Sequence, residues 1–343
     1  MKKSVKTTLA VALVLLITGL GLLAWSASAH GGLRGLWDGA AVNLNWVSSG
    51  SGDLRGYTVC QSGEESFDPA AVKRLDLGWV AGSVKLQPGG AEITVKERCS
   101  EPLREDQKLC WKLENGTLSL RFCSALHTAM PGKELELSFP ASWLPERAEI
   151  AATSADLELL GLRAADELSV VTTSGDALLK GCGSLELTVS ATSGGIDLQG
   201  CECGRLTLGS TSGALRAEDC RCDTLDAGST SGDIRVVRCE AKTISVGSTS
   251  GSVRCEGVPA GCGVSIGTTS GEVRLSLLDT RNEQKIAVET TSGDVYLDVP
   301  GAMELDYDTA SGDLSGKLEQ GGSGCPKVEI DTTSGDLILG AFD

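Results

Sequence analysis

The amino-acid sequence predicts an all-β protein. The expected architecture is a parallel β-solenoid, or β-helix-like stack, of two-strand coils about 19 residues long, behind an N-terminal signal or transmembrane segment. Three observations carry that prediction. A Thr-Ser-Gly turn recurs at a nearly constant interval, apolar and polar residues alternate on either side of it, and aromatic rings are missing where the repeat is most regular.

The turn places Ser at 154, 174, 193, 212, 231, 250, 270, 292, 311 and 334, at intervals of 20, 19, 19, 19, 19, 20, 22, 19 and 23 residues. A repeat of this length marks a solenoid or array. The most complete copies are Ser174-Gly175-Asp176, Ser231-Gly232-Asp233, Ser292-Gly293-Asp294, Ser311-Gly312-Asp313 and Ser334-Gly335-Asp336, four of them preceded by Thr. Others relax the last position to Gly195, Ala214, Ser252 or Glu272. Here Gly is expected to take a positive φ and Asp to bond nearby amides.

The flanks alternate with the period of a half-buried strand, as in Leu185-Glu186-Leu187-Thr188-Val189 before a turn and Ile234-Arg235-Val236 after one. Each repeat therefore reads strand, turn, strand, turn. Stacked coils pair equivalent strands in parallel, about 4.8 Å apart, around a narrow aliphatic core. No Phe, Trp or Tyr occurs between Trp143 and Tyr296, as such a core requires. The longer intervals place insertions near Asp279–Lys285 and Gln320–Pro326. An antiparallel β-sandwich is the alternative fold, but it does not demand a fixed period.

Four segments follow. Residues 1–29 hold Lys2, Lys3 and Lys6, an apolar run from Leu9 to Trp25, and Ala27-Ser28-Ala29, the pattern of a signal peptide or membrane anchor with cleavage near Ala29. Residues 30–66 read as a Gly/Ser-rich linker. Residues 67–343 are the β-solenoid domain, with 67–150 as degenerate capping coils and 151–343 as regular repeats. Trp79, Trp111, Trp143, Phe122 and Phe139 suit a cap over an exposed core edge, with a carbohydrate-stacking platform as the sharper reading.

Cysteine follows the same period. Cys182, Cys201, Cys220 and Cys239 are each 19 apart, and Cys203 and Cys222 repeat that interval. On successive coils these residues lie within disulfide range, so the ladder is either disulfides between coils or reduced, buried thiols. Cys60, Cys99, Cys110 and Cys123 are expected to pair among themselves. With 13 cysteines, at least one stays unpaired within the chain. A zinc site from Cys201, Cys203, Cys220 and Cys222 is the alternative, although one-residue gaps are shorter than structural zinc sites use.

Composition narrows the function. Acidic residues outnumber basic ones 46 to 30, for a net charge of −16, which argues against nucleic acid as partner. The only histidines are His30 and His127, and no Ser-His-Asp set, His-Glu-x-x-His or phosphate loop is present, so no catalytic or cofactor-binding residue is assigned. A calcium ladder through Asp176, Asp233, Asp294, Asp313 and Asp336 would supply one carboxylate per turn, where calcium takes six or more oxygens. Hydroxyl pairs such as Ser229-Thr230 and Thr290-Thr291 resemble flat ice-binding arrays, but beside Gly they more simply cap backbone groups.

The spaced Thr-Ser-Gly-Asp turns behind an apolar leader resemble the bacterial "putative adhesin" domain-of-unknown-function family, over about residues 67–343. The resemblance implies an exported β-solenoid-like domain in adhesion or envelope-stress sensing, with no established catalytic residues. The expected function is a non-enzymatic cell-surface protein binding a cell-wall glycan or an extracellular protein. The N-terminal segment would hold it to the membrane if uncleaved. The alternatives are a β-helix carbohydrate-active enzyme or lectin, and a membrane-anchored envelope-stress sensor.

Overall fold

A computed structural model describes residues 54, 56–123, 132–279, 284–317, 319, 321 and 324–340. The leader, most of the linker and both histidines lie outside the described residues. Within them the chain is a parallel β-solenoid of about nine turns, and the helical pieces are two short 3-10 turns, Pro69–Ala71 and Glu105–Gln107. No helix among these residues is long and apolar enough to cross a membrane.

Each regular coil contributes one strand to each of two faces. The first face runs through Glu167–Thr172, Gly183–Ala191, Glu202–Ser210, Thr224–Ser229, Thr243–Ser248, Gly263–Thr268 and Lys285–Thr290, every neighbour parallel and in register. The second runs through Ala177–Lys180, Ile196–Gln199, Leu215–Glu218, Ile234–Val237, Val253–Val258, Val273–Leu277 and Val295–Asp298. The long strands Arg74–Pro88 and Arg147–Leu160 cross both faces and join them. Alternation fixes which side chains enter the core. Leu187, Leu206, Leu225 and Ile244 form one buried column, and Ile196, Leu215, Ile234 and Val253 face them from the second face. Each fully buried aliphatic stabilises by roughly 1.5–3 kcal/mol.

The N-terminal end departs from the expected degenerate coils. Thr117–Arg121 and Lys133–Phe139 do pair in parallel with Arg74–Pro88. Beyond them the pairing turns antiparallel: Cys110–Glu114 on Thr117–Arg121, Ile93–Cys99 on Lys133–Phe139, and the short strands Thr58–Val59 and Glu64–Phe67 outside those. Residues 58–59 and 64–66 thus belong to the sheet, where composition suggested linker. Hairpins let the chain close the stack without another 19-residue circuit. The rings are core: Trp79, Phe139 and Trp143 are buried, and Trp111 packs edge-on against Phe67 at 5.0 Å. The Cys110–Cys123 disulfide ties this cap, while Cys60 and Cys99, expected to pair within the same N-terminal set, are unbonded.

At the other end the coils are out of sequence order. Lys327–Thr332 pairs with Lys285–Thr290 on one side and with Glu304–Thr309 on the other. Likewise Leu337–Leu339 lies between Val295–Asp298 and Leu314–Ser315. The chain skips one coil position and then returns to fill it. Side chains explain the exchange. Val328 and Ile330 are fully buried, whereas Glu304–Thr309 carries Glu304, Asp306 and Asp308 outward with Leu305 and Tyr307 only half-buried. An acid-studded strand suits the edge, where charge discourages further pairing.

That edge concentrates like charge. Burial first, then Glu329, Asp308 and Asp306, raises the Asp331 carboxyl, and burial with Asp331 and Glu329 raises Glu289. Elsewhere arginines hold acids down: Arg216 and Arg238 lower Glu218, Arg238 lowers Asp219, and Arg221 lowers Glu240. An acid raised by folding stabilises the fold when protonated, and that stability is lost as pH rises through its folded pKa. An acid lowered by folding contributes stability that is lost as pH falls through its folded pKa. Hydrogen exchange of Lys327–Thr332 is therefore expected to slow, after correction for intrinsic exchange, as pH drops from 7 toward the ordinary carboxylate value of about 4. The Arg-paired coils should loosen only well below about 4. Asp331→Asn with Glu289→Gln should abolish the first effect. Unchanged protection between pH 7 and about 4 in the parent would refute it.

Candidate binding surface

The Thr-Ser-Gly-Asp turns stack into one column at the junction between the faces, and their chemistry differs from the sequence expectation in two respects. The turn glycines are not among the positive-φ residues. They are required by close approach instead: a Cβ on Gly194, Gly213, Gly232, Gly251, Gly271 or Gly293 would lie 1.9–2.1 Å from the carbonyl oxygen of the turn glycine one coil before. Gly335 meets Gly293, and Gly312 meets Gly335, which repeats the exchanged coil order. The aspartates bond the next coil rather than their own turn. Asp176 Oδ1 accepts from the Gly195 amide at 2.7 Å, Asp233 from Ser252 at 2.8 Å, Asp294 from Asp336 at 2.9 Å, and Asp336 from Asp313 at 2.9 Å. These carboxylates act as clamps between coils. Among the described residues no three His, Cys, Asp or Glu side chains converge as metal ligands.

In each hydroxyl pair the two members divide the work. Ser210, Ser229, Ser248, Thr268 and Thr290 turn inward and accept the amide of the turn glycine three residues on, at 2.8–3.0 Å. The following residues, Thr211, Thr230, Thr249 and Thr269, stay exposed along the rim. Ser174, Ser231, Ser292, Ser311 and Ser334 occupy the next exposed position of the turn.

The outer surface of the first face holds a second glycine column. Register aligns Gly209, Gly228, Gly247 and Gly267 on four consecutive strands, pointing away from the core. A Cβ at Gly228 or Gly267 would meet nothing within 4 Å. No positive φ and no internal contact requires these glycines, which weaken a strand by roughly 0.5–1 kcal/mol each. They form the floor of a shallow trough. Thr207, Asp226, Ser245 and Ser265, two residues before them, make one wall, and the exposed Thr211, Thr230, Thr249 and Thr269 make the other. At coil spacing the floor spans roughly 14 Å. The first Gly in Gly-Ser-Thr-Ser-Gly carries this column, and the repeat signal overlooked it by tracking only the second.

The second face carries a different column outward, Arg216, Arg235, Arg254 and Arg274, again in register. Each guanidinium has an acid beside it: Glu218 for Arg216, Glu256 for Arg235 and Arg254, and Glu272 for Arg274, which also lies 4.9 Å over the Tyr296 ring. The corner that follows has a depression of about 280 Å³ lined by Glu202, Arg221, Arg238 and Glu240, where Arg221 bonds Glu240 at 2.8 Å and Arg238 bonds Asp219 at 2.8 Å. A site this small lies at the lower limit of ligand pockets, and its charges are already paired.

The cysteines of the ladder are all brought together at this corner. Cys182, Cys201, Cys220 and Cys239 stack in one buried column, and Cys203 and Cys222 in a second. All six are unbonded to one another. The neighbouring thiols raise Cys201, Cys203 and Cys239 and lower Cys182 and Cys220.

With fold and surface in view, the relationship to known proteins is direct. A family model described as Toastrack DUF4097 matches residues 72–339. The chain belongs to the Toastrack DUF4097 family. Three solved structures are similar to this Toastrack chain. A "putative cell adhesion protein" from Clostridium sporogenes shares 10% identity, covering 80% of this chain and 96% of its own, with a TM-score of 0.19. A "putative adhesin" from Bacteroides fragilis shares 11%, covering 80% and 95%, at 0.37. A "putative lipid binding protein" from Parabacteroides distasonis shares 14%, covering 82% and 98%, at 0.44. No curated protein matches the Toastrack chain.

Proposed function

We propose that the protein is an exported, non-enzymatic surface protein that binds an extended neutral glycan of the cell wall along the first face. The observation that carries this reading is the glycine-floored trough. A flat floor without side chains admits a ring or chain closely, and walls of Thr and Ser, with Asp226 in one of them paired to Arg205, offer hydroxyls that donate and accept along the face. A polymer with its own repeat gains many weak contacts on such a surface, as elongated repeat proteins commonly provide. The acidic surface favours an uncharged or cationic partner over a polyanion. The leader supports export, and outside the two insertions the short, even turns of the described residues supply no walls for a catalytic groove.

Co-sedimentation with purified, uncharged cell-wall polysaccharide tests the reading. The wild-type protein is expected to pellet with it. Gly228→Lys combined with Gly247→Lys, which fills the trough without touching the core, should reduce retention at least tenfold. Retention unchanged by that pair would overturn the site. Release of reducing sugar during the incubation would replace the binding reading with a carbohydrate-active enzyme.

A further inference from the structure

The cysteine corner carries an inference independent of glycan binding. One column runs Cys182, Cys201, Cys220 and Cys239, between Leu162 at one end and Val258 at the other, all buried. The amides of Glu202, Arg221 and Glu240 donate to the carbonyls of Cys182, Cys201 and Cys220 at 3.0, 2.9 and 2.8 Å, which locks the rungs in register. The second column holds Cys203 and Cys222 between Ser184 and Ala241. Equivalent Cα atoms of stacked strands lie about 4.8 Å apart, inside the roughly 4.4–6.8 Å that a disulfide spans. Register sets the thiols side by side on consecutive coils: Cys201 between Cys182 and Cys220, Cys220 beside Cys239, and Cys203 beside Cys222.

We propose that these six thiols oxidise in pairs that staple consecutive coils: Cys203 with Cys222, Cys182 with Cys201, and Cys220 with Cys239. Pairing follows from position. Cys203 and Cys222 have only each other within their column. In the column of four, each end thiol has a single neighbour, so pairing from the ends consumes all four sulfurs, whereas a Cys201–Cys220 bond would strand both ends. Before oxidation the thiols are also satisfied. Cys182, Cys201, Cys220 and Cys239 each lie 3.4–3.8 Å from the carbonyl two residues earlier. The column of four is therefore well bonded in its reduced state.

The oxidant is a disulfide, of a small thiol or of a dithiol oxidase. One cysteine thiolate attacks it, forms a mixed disulfide and expels the first thiol. The neighbouring thiolate then attacks the cysteine sulfur of that mixed disulfide and expels the second thiol. Two protein thiols lose two hydrogens in all, and the oxidant's disulfide is reduced to two thiols. Burial of the columns places this exchange during folding, while adjacent coils are docking.

The test uses the full chain, unfolded with reductant, refolded with glutathione disulfide, then unfolded again and alkylated without reduction. Cleavage after Glu and Arg separates all six cysteines onto their own peptides. The expected result is three cross-linked peptide pairs in the stated combinations, and none of the six alkylated. Alkylation of all six, a Cys201–Cys220 link, or links from these columns to other cysteines would overturn the proposal. Cys203→Ser should expose Cys222 to alkylation and leave the other two pairs intact. Loss of those pairs in this variant would likewise overturn it.

Discussion

Gly232→Ala is expected to destabilise the protein by about 4 kcal/mol or more, enough to separate the central coils. Its Cβ would sit 2.0 Å from the Gly213 carbonyl oxygen and 2.7 Å from the carbonyl carbon, with Ser229 Oγ at 3.0 Å. Two of those three atoms are backbone of the coil before, so no side-chain rotation relieves the overlap. Relief requires pulling one coil from the next, which would also strain the Gly232 amide bond to Ser229 and the Asp233 clamp on Ser252. The control lies four residues away. Gly228→Ala places a methyl in open space and should be neutral or stabilising by up to about 1 kcal/mol. Urea unfolding of the two variants measures the contrast, and equal tolerance of both would refute the close-approach account.

Lys133→Met should cost about 3–5 kcal/mol, because it removes one member of a buried ion pair. Lys133 and Glu97 side chains are 0% and 2% exposed, with Nζ 2.7 Å from Oε1. The ammonium also donates to the carbonyls of Gln107 at 2.6 Å and Cys123 at 3.3 Å, and lies 3.9 Å from the Phe122 ring centre. Desolvation pulls its pKa below the ordinary lysine value, while Glu97 opposes that shift. Glu97 Oε2 accepts the Leu109 amide at 2.8 Å, so the pair joins three separate segments of the N-terminal cap. Removing Lys133 leaves a carboxylate and two carbonyls without their donor. Combining Lys133→Met with Glu97→Gln, which keeps an acceptor for Leu109, should recover part of the loss. A double-mutant cycle by urea unfolding reads this directly. The exposed Lys85–Glu158 pair, 3.1 Å apart, is the comparison and should contribute at most about 1 kcal/mol. Similar losses at the two pairs would sink the argument.

These expectations differ in how far the sequence alone leads to them. Period and alternation identify the coils, their parallel stacking and the inward aliphatic columns, because every coil of a solenoid repeats one environment and leaves the same residue types in the same phase. The 19-residue spacing of cysteine marks the thiol columns for the same reason. Gly228 and Gly232 are harder to separate. Both recur at the coil period, yet one meets a carbonyl oxygen of the neighbouring coil and the other faces solvent. Conformation does not distinguish them, since neither has positive φ. Only stacking does.

The same limit applies at the ends and in the cap. Alternation predicts that Lys327–Thr332 and Glu304–Thr309 are both strands, but parallel coils present interchangeable edges, so chain order does not dictate stacking order. Burial decides it: Val328 and Ile330 fill the interior position, and the acidic strand takes the rim. Lys133 and Glu97, 36 residues apart in sequence, carry no periodic signal at all, and their ion pair exists because two hairpin strands close over Trp79 and Phe122. What could be read from sequence was the repeating unit, since local pattern and coil environment share one period. What required the tertiary structure was every contact between units, because the distance from one coil's backbone to the next is set by stacking and leaves no trace in the order of residues along a single coil.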